Sequence, residues 1–210
     1  MKLGELKIAS LMLVAPSLEI NLDSSDEKSL EEKIMELKAN PNVLDYLNGL
    51  VYSINRAFSI VEKQGFVKEK RKALNKDELE KTSYGYRLSL DKISKDILEI
   101  KKIYQKEPCR FEFDGDNTII LKSVKNEPIE IVYTERLKRI NEATSDLYEL
   151  EIDFAIAEII PYFVKSELIL SDDPDEAEVS KNHFFELLKM MSSPKLVHNE
   201  MVVDSVYRMW

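Results

Sequence analysis

The sequence predicts an α+β protein: mainly an α-helical bundle, with a small antiparallel β module inserted in it and an extended C-terminal arm. Three patterns predict this. Leu44, Leu47, Val51, Ile54, Phe58 and Val61 recur at 3,4,3,4,3 spacing, which places all six on one stripe of a helix. From Tyr84 the period drops to two, and Phe111–Phe113, Asp114-Gly115-Asp116-Asn117 and Thr118–Leu121 read as strand, turn and strand. After Leu150 the helical period returns.

Taken in order, Leu3, Leu6, Ile8, Ala9, Leu11, Met12 and Leu13 predict a short helix over 3–14, ended near Pro16. Residues 17–26 are a polar connection, and Ser25 or Asp26 is the expected cap of a second helix running to about Lys38, with Leu30, Ile34 and Leu37 on one face. Asn40-Pro41 ends it. The strongest helix follows, with Asn40 or Asn42 as N-cap and Gly65 as its stop. These helices make up an N-terminal part, 1–66. The charged stretch 67–83 shows little periodicity and reads as a solvated connection, Lys68, Lys70, Arg71 and Lys72 forming a wet basic face. The β module spans 84–135, with four or five strands: one around Tyr86 and Leu88, one over 97–104, the 111–121 hairpin, and one over Ile129–Tyr133 after the turn SVKNEP. Over 136–192 a helical hairpin completes the bundle. Its first helix carries Ile152, Ile156, Ile159, Ile160, Phe163 and Val164, and Pro161 inside it removes a backbone donor. Its second has Asp173 as N-cap, Pro174 in the first turn, and Ala177, Phe184, Leu187, Leu188 and Met191 as its apolar face. The arm is 193–210.

Composition excludes several classes of protein. A chain of 210 residues with 44% hydrophobic content can bury roughly 70% of its unfolded surface and needs no staple to fold. The single cysteine, Cys109, excludes an intrachain disulfide scaffold. No uncharged apolar run approaches the roughly 20 residues that cross a bilayer. The first 17 residues look superficially like a signal peptide, but Glu5 and Lys7 break the apolar stretch. The net charge of −9 opposes adhesion to phosphate backbones, and neither GxGxxG nor GxxxxGK[ST] is present among the five glycines. A soluble, intracellular, acidic protein with no cofactor is expected.

Candidate chemistry is sparse. His183 sits on a helix beside Asn182 and Phe184, and His198 lies in the arm; neither is paired with a nucleophile in a triad-like pattern. Cys109 opens a strand among apolar residues and reads as a small hydrophobe. No CxxC or HExxH points to zinc. Asp114, Asp116 and Asn117 imitate the start of a calcium loop, but the strand that follows favours a hairpin. Asp172, Asp173, Asp175, Glu176 and Glu178 crowd a helix start, which the helix dipole explains without a metal. The arm is the most informative segment. Leu196, Val202, Val203, Val206, Tyr207 and Trp210 make it unusually apolar for a chain end, and aromatic side chains are favoured interface anchors.

The stretch 152–191 resembles the helical hairpin of phage head–tail connector (adaptor) proteins. The matching positions are Pro161, Tyr162, Glu167, Leu168, the Asp172-Asp173-Pro174 turn, Ala177, Asn182, Phe184 and Leu188. The DGDNTIIL hairpin, MKLGELK and SINRAFSIVEK (53–63) are similar to that family as well, so the resemblance covers most of the chain. It implies a structural virion protein without catalysis. Such adaptors form a ring, typically of twelve copies, beneath the portal protein, extend the DNA channel, and carry the next neck protein and the tail. The implied partners are therefore portal, sibling subunits and a downstream neck or tail-completion protein, with DNA passing unbound and no membrane involved. The implied location is the virion neck, and the host cytoplasm during assembly. Leu196, Val202, Val203, Val206, Tyr207, Arg208 and Trp210 are the expected interface to portal or to a neighbour. The acidic charge is then expected to line part of the channel and repel DNA. A non-viral helical adaptor that binds a peptide or sugar through its β module is the competing reading.

Overall fold

A computed structural model of the chain describes residues 1–15 and 29–192. Five helices and two antiparallel sheets make it a mixed α+β protein: α1 (Leu3–Val14), α2 (Leu30–Ala39), α3 (Pro41–Lys63), β1 (Glu69–Leu74), β2 (Glu80–Thr82), β3 (Gly85–Ser89), β4 (Ile97–Tyr104), β5 (Phe111–Phe113), β6 (Thr118–Leu121), β7 (Ile129–Glu135), α4 (Phe154–Leu168) and α5 (Pro174–Ser192).

The helix ends follow local chemistry. In α2 the N-cap is Ser29, not Ser25 or Asp26, which lie outside the described residues. The Ser29 N–H donates to Glu32 Oε2 (2.7 Å) and the Glu32 N–H to Ser29 Oγ (3.3 Å), a reciprocal capping box. Pro41 opens α3 where a missing N–H costs nothing. At its other end Gly65 takes φ 78°; its N–H donates to Glu62 O and that of Phe66 to Val61 O, the Schellman closure that a left-handed residue permits. The buried stripe of α3 is rotated from the expected one near its start. Val43 is fully buried and Leu44 is 48% exposed, while Ile54, Phe58 and Val61 face the core as expected.

The helices share one apolar core, with α4 at its centre, packed against α1, α3 and α5. That position explains its composition: Ile156, Ala157, Ile159, Ile160, Phe163 and Val164 are buried around most of its circumference. The helix continues through the buried Pro161.

The β part differs from expectation in its start and its layout. The stretch 67–83 is not a bare connection, because β1 and β2 lie within it. The three-stranded sheet runs β1-β7-β4 and the four-stranded sheet β2-β3-β6-β5, every pairing antiparallel. Charge hides the alternation of β1, since two inward positions hold lysines. Lys72 Nζ donates to the carbonyls of Lys92 (2.5 Å) and Ile93 (3.1 Å), and Lys70 pairs with Glu135. In β4, register shifts between Ile97 and Glu99 and between Ile100 and Lys102 let Ile100 and Ile103, three residues apart, enter the same core. The 111–121 hairpin forms as read. The two sheets share a second apolar core, built on Leu88, Ile100, Ile103, Ile119, Leu121, Ile129 and Ile131, which has no residue in common with the helical one. Gly85 is required where β3 runs against β6: at φ 146°, a Cβ there would stand 2.4 Å from the Leu121 carbonyl oxygen.

Candidate functional site

Every residue expected at an interface (Leu196, Val202, Val203, Val206, Tyr207, Arg208 and Trp210) lies outside the described residues, as does His198. The structure does describe the platform from which that segment departs, the α4–α5 hairpin. Asp173 caps α5, accepting the Glu176 N–H at 3.0 Å, and the preceding Asp172 accepts the Tyr46 hydroxyl at 3.0 Å. That hydrogen bond pushes the Tyr46 phenol up from its ordinary value. Farther along, Arg56 of α3 pairs with Glu167 of α4, and Lys165 with Glu176 across the hairpin at 2.6 Å. Of the acidic turn, Asp172, Asp173 and Glu176 are thus occupied with capping and pairing.

A second polar cluster ties the helices to the sheets. The chain leaving β7 is held along α3 by two side chains that face one way at positions seven apart. Asn55 Nδ2 donates to the Ile140 carbonyl (2.8 Å) and its Oδ1 accepts the Ile140 N–H (3.0 Å). The Glu62 carboxylate accepts the Leu137 N–H (2.6 Å) and the Arg139 guanidinium (2.7 Å) while itself only 7% exposed. Beyond it, Lys70 of β1 reaches Glu135 (2.5 Å) and Glu151 (3.1 Å), tying the sheet to the strand-like run that precedes α4. None of these polar pairs follows a local spacing rule, so the sequence alone did not single them out.

The Lys70 group has a definite pH signature. Its hydrogen bond to Glu135 raises the ammonium pKa well above the ordinary 10.5, outweighing burial. Burial alone would raise the Glu135 carboxyl, but hydrogen bonds from Lys70, Ser94 and Tyr133 outweigh it and hold the group below its ordinary value of 4.5. A carboxyl lowered on folding contributes stability above its unfolded value and loses it as pH falls through the folded one. An ammonium raised on folding contributes below its unfolded value and loses it as pH rises through the folded one. The stability difference between the native chain and Lys70→Met is therefore expected to be flat, at about 1 kcal/mol for this partly exposed pair, between roughly pH 6 and 9. It is expected to shrink on both sides, as read by urea midpoints across pH; a difference that grew in acid would contradict the pairing.

The remaining chemical candidates sit in packed or paired surroundings. His183 packs edge-on against Tyr162, ring centroids 4.7 Å apart. Cys109 is half-buried against the β core, its Sγ 3.8 Å from the Glu107 carbonyl, and burial pushes the thiol up. Asp114 pairs with Arg87 at 3.2 Å, and its N–H closes the hairpin onto Thr118 O. Among the described residues no three His, Cys, Asp or Glu side chains converge as a metal site. No described helix is long and apolar enough to cross a membrane.

The surface carries apolar features that the sequence did not flag. Val179 and Met190 stand out from α5 on the side opposite its buried face, and Phe113 projects from β5, the edge strand of the second sheet. An open hollow of about 250 Å³ lies beside that edge, walled by Cys109, Arg110, Lys122 and Lys125. Another, of about 230 Å³, lies at the far end of α5, walled by Gln64, Phe185, Leu188 and Lys189. Helical periodicity marks the face a helix buries and is silent about its outer face, so Val179 and Met190 carry no signal in the sequence. The chain matches no protein-family model and no curated protein.

Proposed function

We propose that this protein is a head–tail connector of a tailed bacteriophage: a structural subunit that assembles with copies of itself, typically twelve, into a ring beneath the portal, extends the DNA channel and offers a platform to the next neck or tail protein. The observation that carries this reading is the α4–α5 hairpin. Several of the positions that resemble the connector family are buried or capping in it: Pro161 within the central helix, Asp173 and Pro174 at the start of α5, and Phe184 and Leu188 in the core. In this reading the five helices are a bundle forming the wall of the ring and the two sheets are an excursion from it. The distribution of charge supports the same division. Residues 67–135 carry 15 Lys and Arg against 14 Asp and Glu, so the whole net charge of −9 resides outside them. A channel lined by the helical part would repel DNA and let it slide.

The apolar arm 196–210 is the proposed contact to portal or to a neighbouring subunit. Deleting it is expected to abolish co-sedimentation with portal rings while leaving the helical circular dichroism unchanged. Normal attachment of the truncated chain would refute the assignment. The hollow beside β5 and the exposed Phe113 favour a second reading, a module that binds a peptide or sugar along that edge. Tight binding of such a ligand by a chain that never joins portal rings would decide for it.

A further inference from the structure

The four-stranded sheet ends at β5, and its core is left open on that side. Cross-strand partners share a face of a sheet, so Phe113 lies on the same inward face as Ile119, and Phe111 on that of Leu121. Ile119 and Leu121 are wholly buried, yet Phe113 is 63% exposed, its ring stacked edge-on against Phe111 with centroids 5.8 Å apart. The backbone is open there too. The Asp114 N–H donates to Thr118 O at 2.8 Å, and bonded and unbonded positions alternate along an antiparallel pair. Glu112 therefore turns its N–H and C=O to β6, while those of Phe111 and Phe113 point to the free edge. The usual guards of an edge are missing: Phe111–Phe113 holds no proline or lysine, and its one charge, Glu112, is tied to Lys122. Beside the start of the strand lies the hollow walled by Arg110, Lys122 and Lys125, with Glu107 as its single carboxylate. Among the described residues Arg110 has no ion-pair partner. In a chain of net charge −9 this is a local excess of positive charge.

We infer that the free edge of β5 takes an extended acidic peptide segment of another protein as an added antiparallel strand. Main-chain pairing at Phe111 and Phe113 supplies the affinity, and the side chains supply the choice of partner. Residues of the added strand opposite Phe113 and Phe111 point inward and cover the exposed ring, so both are apolar. The residue after them, opposite Arg110, points to the outer face beside the hollow, so it is Asp or Glu. The fitting pattern is apolar, any, apolar, acidic. A second copy of β5 fits poorly, because the register that satisfies both Phe111 and Phe113 sets the two copies' Glu112 carboxylates face to face. The inference rests on the peptide half of the second reading and holds whether or not the chain joins portal rings.

The probe is a labelled hexapeptide, Ser-Val-Thr-Val-Asp-Ser, with a counterpart that carries Lys for Asp, each titrated into the full chain. The acidic peptide is expected to bind saturably and its counterpart at least about tenfold more weakly, an order that Arg110→Glu reverses. At saturation the amide exchange of Phe111 and Phe113 is expected to slow at least about tenfold, while that of Glu112, which already faces Ile120, stays as it was. Phe113→Pro removes one outward N–H without touching a bond to β6, and is expected to abolish binding in a chain whose Glu112 amide stays protected. No saturable binding of either peptide at millimolar concentration would overturn the inference. So would equal binding of the two, which would leave a peptide site without the acidic preference. Protection of Phe111 and Phe113 that rises with protein concentration alone would place a second copy on the edge and overturn it as well. Co-sedimentation with portal rings reads the connector function separately.

Discussion

Replacing Phe184 by alanine is expected to destabilise the chain by about 3–5 kcal/mol, a large share of the roughly 5–15 kcal/mol that holds a domain of this size. The ring is wholly buried at the centre of the α4–α5 contact. It packs against Phe163 of α4, centroids 5.3 Å apart and tilted by 53°, and against Phe185 of its own helix. Its removal forfeits transfer free energy and leaves a cavity between two helices that cannot close without moving α4. Because α4 also packs on α1 and α3, that movement is opposed by the whole helical core. The change is read as a lower guanidinium midpoint at unchanged slope. Phe184→Leu refills most of the volume and is expected to cost less than half as much. Equal midpoints for the native and alanine chains would show that the hairpin is held by something other than this ring pair.

Glu62→Ala is expected to cost about 3 kcal/mol, and for a different reason. The carboxylate is buried, and its two oxygens serve different partners: Oε1 takes the Leu137 N–H and Oε2 the Arg139 guanidinium. Alanine leaves a buried backbone donor without a partner and a cation without its counter-ion, and an unmade buried hydrogen bond costs more than a made one contributes. Glu62→Gln keeps an oxygen for the Leu137 N–H and is expected to recover roughly half of the loss. Since the contact pins the chain between β7 and α4 to α3, Glu62→Ala is also expected to speed amide hydrogen exchange at Leu137 and Ile140 far more than in the sheets. Uniform acceleration throughout the protein would contradict a local clamp.

These two positions show where reading the sequence succeeds and where it stops. Phe184 was legible as a core residue because helical spacing places it with Ala177 and Leu188, and all three are buried. Glu62 was not, because it precedes Lys63 in a charged helix end and nothing local marks it as an inward carboxylate. The same division runs through the sheets. The 111–121 hairpin was readable from its turn, whereas β1 was hidden because Lys70 and Lys72 occupy inward positions that an apolar pattern reserves for Leu or Ile. In β4 the two register shifts defeated a strict period of two.

The α+β class, the order of the described helices and the helical hairpin with its Asp173 cap are legible in the chain's own spacing. These rest on interactions within a few residues, and spacing and capping report such interactions directly. Long-range packing sets the division of the strands into two sheets around a core of their own, the entry of Val43 rather than Leu44 into the helical core, and the binding of the two parts by Asn55, Glu62 and Lys70. The Asn55, Glu62 and Lys70 contacts depend on partners 65 to 85 residues away along the chain. A buried charge or amide is stabilised by the group it meets, and the identity of that group is set by the fold rather than by neighbours in sequence.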